Sequence, residues 1–124
     1  MGEQILIVED DKVFLEMMQF KLENKGYQVK KALDGLEALN VVERNKIDLI
    51  ISDIILPNIS GLCFLSVFNE FNFDKIPVIV ISSVDKANII LSAIELGVYD
   101  YIVKPVDFEE LCKKISLLLH KKDI

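Results

Sequence analysis

Three short runs, at residues 5–8, 49–52 and 78–81, are apolar at nearly every position and rich in Ile and Val. A strand with one face in water alternates polar and apolar residues, so an unbroken apolar run means that both faces are covered. Weaker strand signals at 27–32, where Tyr27 and Val29 give way to polar residues, and at 99–103 belong nearer the sheet edges. Between the strands, apolar residues recur three and four apart, the spacing of a helix face. The first such group is Phe14, Met17, Met18, Lys21 and Leu22, and the second is Leu36, Leu39 and Val42. Then come Leu62, Leu65, Val67 and Phe68, next Ile90, Ala93 and Ile94, and last Leu111, Ile115, Leu118 and Leu119. Asp11 stands where the first helix needs an N-cap. Gly26 and Gly97 follow the first and fourth helices, where a left-handed residue closes a helix. Strand and helix therefore alternate five times. That order forces right-handed crossovers and a parallel sheet covered on both faces.

With 124 residues and no internal repeat, low-complexity segment or Pro/Gly/Ser-rich linker, residues 1–124 read as one domain with one sizeable core. The chain is 52% hydrophobic and 27% charged, which suits a packed interior and argues against disorder. Twenty acidic against 14 basic side chains give a net charge of -6, so direct nucleic-acid binding is not expected. Cys63 and Cys112 have no metal-ligand spacing to each other or to His120, and both read as reduced packing residues. No apolar run approaches the ~18 residues of a membrane span, and MGEQILIVEDD has no basic segment before its apolar stretch. The expected location is cytoplasmic, with no membrane contact.

Chemistry is expected beyond the C-terminal ends of the strands, where the strand order reverses. Glu9, Asp10 and Asp11 follow the first strand, Asp53 ends the third, Ser82 and Ser83 follow the fourth, and Lys104 follows the fifth. With strands in the order 2-1-3-4-5, the first and third are neighbours, and Glu9 and Asp10 face Asp53. Carboxylates so close raise one another's pKa unless a cation compensates. Mg²⁺ suits such a place, because it prefers one or two carboxylates, water and phosphate oxygens to a full protein cage. Asp53 then has the setting of a carboxylate nucleophile toward phosphorus. Lys104 would neutralise the transferred group, and the Ser82 hydroxyl would donate to one of its oxygens.

Over nearly its full length the chain resembles a response-regulator receiver domain of two-component signalling, of the chemotaxis-regulator type. ILIVEDD resembles the family's first strand and acid pair, SDIILPNISG the phosphoacceptor segment with Pro57 and Gly61 in its loop, PVIVISS the fourth strand and YDYIVKP the fifth. The resemblance implies a flavodoxin-like (βα)5 doubly wound sandwich with a five-stranded parallel sheet of order 2-1-3-4-5. It implies Asp53 as phosphoacceptor, and Mg²⁺ or Mn²⁺ held by Glu9, Asp10, Asp53 and the backbone carbonyl of Ile55. Ser82 and Tyr101 become the switch pair, and Lys104–Pro105 a candidate cis peptide. The phosphoryl donor is then a histidine on a sensor histidine kinase or histidine phosphotransfer protein, because His120 lies in the last helix, away from the rim. Such a domain is a signalling phosphoacceptor that catalyses only its own phosphorylation and dephosphorylation. The fourth helix, fifth strand and fifth helix would carry the switch, and Asp100, Glu109, Glu110, Lys113 and Lys114 there suit pairing across a two-fold homodimer. The tail LLLHKKDI is where a linker to an effector domain would begin if this receiver is cut from a longer chain.

Where many receivers carry Thr at the position of Ser82 and Phe at that of Val106, no needed donor is lost. Ile55 and Val84, each two residues past a site residue, are apolar, and the phosphorylated form is expected to decay slowly. Tyr101 also fits plain packing, and the Phe71 and Phe73 pair reads as core or edge cover. A haloacid-dehalogenase-type phosphatase is disfavoured, because it wants an Asp where Ile55 stands and a cap domain. A flavodoxin-like electron carrier is disfavoured by the acidic first loop.

Overall fold

The computed structural model describes residues 2–71 and 75–120. Five strands and five helices alternate: β1 (Gln4–Val8), α1 (Lys12–Asn24), β2 (Gln28–Ala32), α2 (Gly35–Arg44), β3 (Leu49–Ser52), α3 (Gly61–Glu70), β4 (Val78–Ser82), α4 (Ala87–Glu95), β5 (Asp100–Val103) and α5 (Phe108–His120). All four strand pairings are parallel, in the order β2-β1-β3-β4-β5. The apolar runs occupy the three central places, and the two weaker strands lie at the edges. The register sets Val8 opposite Ser52 and Ser82 opposite Val103, which aligns the C-terminal ends of the strands along one rim.

Side chains alternate across the sheet, so each apolar run feeds two cores. Leu6, Val8, Ile50, Val78 and Val80 pack on one face under Ala38 of α2, Phe64 and Phe68 of α3 and Ala93 of α4. Ile5, Ile7, Leu49, Ile51, Ile79 and Ile81 pack on the other, under Leu15, Met18 and Leu22 of α1 and Leu111 and Ile115 of α5. The helices bury narrower stripes than the sequence spacing implies. Met17, Leu36, Val67 and Ile94 are exposed, because a helix lying on a sheet touches it along one line. In α1 that line is Leu15, Met18 and Leu22, with Phe14 beside it.

Helix ends follow local chemistry. Asp11 Oδ1 accepts from the Val13 and Phe14 amides, Asp34 Oδ1 from Glu37, Ser60 Oγ from Cys63, and Asp107 Oδ1 from Glu109 and Glu110. Gly26 and Gly97 have φ of 98° and 94°, the left-handed closures expected after α1 and α4. Phe71 is exposed at the end of α3 and covers no core, while Phe73 and residues 121–124 of the tail lie outside the described residues. Both cysteines are free thiols. Cys112 is half-buried against the core under α1 and α5, whereas Cys63 is exposed. Among the described residues, no helix is long and apolar enough to cross a membrane.

Candidate functional site

The rim assembles from the residues that end each strand. Glu9 follows β1 with its amide still bonded to Ala32 O, and Asp53 follows β3 with its amide on Val8 O. Continued pairing therefore carries both carboxylates just past the last strand residue, where Glu9 is 3% exposed and Asp53 7%. The chain after β5 is held likewise, by the Lys104 amide on Ser82 O, and the Lys104–Pro105 peptide is cis.

One ammonium joins the two acids. Lys104 Nζ lies 2.9 Å from Glu9 Oε1 and 3.2 Å from Asp53 Oδ2. The other Asp53 oxygen, Oδ1, accepts from the Ile54 amide at 2.6 Å and the Ile55 amide at 3.0 Å. Glu9 Oε2 accepts from the Asp11 amide at 3.2 Å. Burial raises the Glu9 pKa, and the Asp53 charge adds to that. The Lys104 and Asp11 contacts pull the other way without cancelling it. For Lys104, burial lowers the pKa, but hydrogen bonding to Glu9 and the charges of Asp53 and Glu9 outweigh it, so the ammonium stands above its ordinary value. Lys104 is thus one cation that compensates the two buried acids.

Asp10 is exposed, and its carboxylate has no hydrogen-bond or ion-pair partner among the described residues. Three acids at a single point are thus not found: among the described residues no group of three His, Cys, Asp or Glu side chains stands ready to hold a metal. Ile55 is exposed beside Asp53.

Ser82 closes β4 fully buried, with Oγ accepting from the Val84 amide at 3.2 Å, whereas Ser83 is exposed. Tyr101 is half-buried on β5, and its hydroxyl donates to Val84 O at 2.7 Å. Burial raises its pKa, the Asp53 and Asp85 charges add to the rise, and hydrogen bonding with Ser82 opposes it. The turn after Ser82 is thus held by both residues. His120 Nδ1 lies 3.5 Å from Glu3 Oε2, and its ring stacks on Tyr27. Glu3 precedes β1 while Glu9 follows it, so the only histidine is at the far end of the sheet. Lys114 and Asp100 pair within the chain, which takes two of the five charges considered for a dimer.

Two contacts had no signal in the sequence. Asn58, at φ 70°, donates from Nδ2 to Asp34 Oδ2 at 2.9 Å, tying the loop after Asp53 to the start of α2. The Phe14 ring lies 4.2 Å from Lys104 Nζ.

Comparison with known proteins agrees with this arrangement. The family described as "Response regulator receiver domain" matches residues 5–116. The chain is 32% identical, over its whole length, to the alkaline phosphatase synthesis transcriptional regulatory protein PhoP of Bacillus subtilis, and 35% identical to the probable transcriptional regulator ycf29 of Porphyra purpurea. It spans 51% and 60% of these two relatives. Among solved structures, a two-component response regulator from Clostridium difficile superposes with a TM-score of 0.93 at 28% identity, covering 99% of this chain and 100% of that one. Response regulator TrrA of Thermotoga maritima, solved in complex with Mg²⁺ and BeF, superposes at 0.84 with 31% identity, covering 94% of this chain and 99% of that one. Sequence, strand order and rim lead to one assignment: the chain belongs to the response-regulator receiver domains of two-component signalling.

Proposed function

We propose that Asp53 is the phosphoacceptor, and that it takes its phosphoryl group from a histidine of a sensor histidine kinase or histidine phosphotransfer protein. The observation that carries this reading is the Lys104 ammonium, bonded at once to Asp53 and Glu9 from 51 and 95 residues away. Two amides engage Asp53 Oδ1, which leaves Oδ2 as the nucleophile. An Oδ2 lone pair forms the new O–P bond while the donor's N–P bond breaks, and the imidazole leaves with that electron pair. Lys104 turns from Oδ2 to a phosphoryl oxygen, and the Ser82 hydroxyl donates its hydrogen to another.

A hard dication suits these side chains: Glu9 and Asp53 already share one cation, Asp10 is exposed with no partner among the described residues, and all three offer oxygen ligands. Glu9, Asp10, Asp53 and the Ile55 carbonyl would hold Mg²⁺ or Mn²⁺, which when bound neutralises phosphoryl oxygens. Phosphotransfer from acetyl phosphate tests this: hydroxylamine-labile label is expected with Mg²⁺ and none in EDTA, whereas equal label in both would contradict a metal requirement.

The new contacts of Ser82 and Lys104 shift the population between two packings. Tyr101 carries the shift from the turn after β4 to the surface of α4, β5 and α5. A homodimer there would draw on the exposed Leu91 and Ile94 of α4 and on Glu109, Glu110 and Lys113. The net charge of -6 favours a protein partner over nucleic acid for this domain, in a cytoplasmic relay. Its catalysis is confined to gaining and losing its own phosphoryl group.

Ile55 is exposed beside the acceptor and Val84 follows the switch serine, and neither offers water a polar handle. Replacing both with polar residues, Ile55→Asn with Val84→Glu, is expected to speed decay of the phosphorylated form by roughly tenfold. A phosphate-release time course measures it, and an unchanged rate would contradict the role given to these two side chains.

A further inference from the structure

The contact between Phe14 and Lys104 is not among the motif residues that the phosphoacceptor reading uses. Phe14 sits in the first turn of α1, half-buried beside the stripe that faces the sheet. Its ring centroid is 4.2 Å from Lys104 Nζ, well inside the ~6 Å reach of a cation–π contact. Nζ has three hydrogens. Two are taken up by Glu9 Oε1 at 2.9 Å and Asp53 Oδ2 at 3.2 Å, and the aromatic face lies against the same nitrogen.

The ring is itself held. Asp11 Oδ1 accepts from the Phe14 amide at 3.2 Å, and the Asp11 amide donates to Glu9 Oε2 at 3.2 Å. Glu9, Asp11, Phe14 and Lys104 therefore form a closed circuit in which the helix cap, the buried acid and the ammonium fix one another. Lys104 is 22% exposed on a long, flexible stem, so two acceptors alone leave it free to swing toward water.

We propose that Phe14 is a positioning residue: its ring keeps the Lys104 ammonium over the site while Lys104 exchanges Asp53 Oδ2 for a phosphoryl oxygen. An aliphatic side chain in its place would cover the same apolar surface but has no negative face to hold the cation. The inference rests on the phosphoacceptor reading, and its test separates the two.

Initial rates of labelling by acetyl phosphate in Mg²⁺ would be compared for the wild type, Phe14→Leu, Phe14→Tyr, Lys104→Met and the double variant Phe14→Leu/Lys104→Met. Phe14→Leu is expected to slow labelling roughly threefold to tenfold. Phe14→Tyr should restore most of the rate, and Phe14→Leu should cost nothing further in the Lys104→Met background. A second readout is independent of rate: the Lys104 εCH₂ resonances should be ring-current shifted in the wild type and Phe14→Tyr, and lose that shift in Phe14→Leu. Phe14→Leu at the wild-type rate, equal slowing with and without Lys104, or a Lys104 resonance without ring-current shift would overturn the proposal. A wild type that takes no label would sink the phosphoacceptor reading instead, and the Lys104 resonance would still decide the ring contact.

Discussion

Gly61→Ala is expected to destabilise the chain by about 3 kcal/mol, at the upper end of what overpacking costs, and to lower the melting midpoint by roughly 10 °C. Gly61 opens α3, and its amide donates to Ile54 O at 2.8 Å. A β-carbon there would lie 2.5 Å from Asp53 O, 2.5 Å from Ile54 Cα and 2.7 Å from Ile54 O. All three are main-chain atoms, so no flexible side chain can move aside. Either the helix or the segment after β3 must shift by nearly an ångström. The effect reaches the site, because the Ile54 and Ile55 amides that clamp Asp53 Oδ1 belong to the segment that would move. Thermal unfolding measures the first consequence and acetyl phosphate labelling the second. An alanine variant with the wild-type midpoint would mean that the close approach of α3 to Ile54 is wrong.

Lys104→Met, with its apolar replacement for the ammonium, should cost about 2 kcal/mol at neutral pH. Breaking a buried ion pair from one side costs roughly 3–5 kcal/mol, and solvent at the Lys104 side chain, 22% exposed, screens part of that. The loss should depend on pH in a definite direction. Glu9 titrates above its ordinary value in the folded chain. Its protonation therefore favours the fold fully only below the unfolded pKa of about 4.3, and that contribution is lost as pH rises through the folded value. Removing Lys104 deletes the hydrogen bond and the charge that restrain this upward shift. The penalty should then be small near about pH 4 and grow toward neutrality, as Glu9 loses its proton with no ammonium beside it. Urea midpoints in EDTA, so that no divalent ion contributes, are expected to separate by about 1 M at neutral pH and to converge in acid. A gap that is constant with pH would contradict the account of Glu9.

How far the sequence spoke depended on whether a feature was local. The runs at 5–8, 49–52 and 78–81 mark strands covered on both faces whatever lies next to them, and the alternation with helices leads from there to the sheet. Glu9, Asp53, Ser82 and Lys104 were legible as a group because each stands at the end of a strand, and parallel strands bring such ends to one rim. Helix faces were less legible. Met17, Val67 and Ile94 fit a helical period as well as Met18, Phe68 and Ala93 do, and only the contact line on the sheet separates them. The direct bonds from Lys104 to Glu9 and Asp53 were less legible, because they depend on how a flexible side chain settles between two acids. The ring of Phe14 beneath that ammonium and the Asn58 bond to Asp34, which join segments distant in the chain, were not legible.

The most direct measurement is phosphotransfer from acetyl phosphate in Mg²⁺ to the wild type and to Asp53→Asn, followed by hydroxylamine lability of the label and mapping of the modified residue. Hydroxylamine-labile label at position 53 of the wild type and none on Asp53→Asn is the expected result. Equal label on both proteins, or label at another residue, would contradict the assignment of Asp53 as the phosphoacceptor.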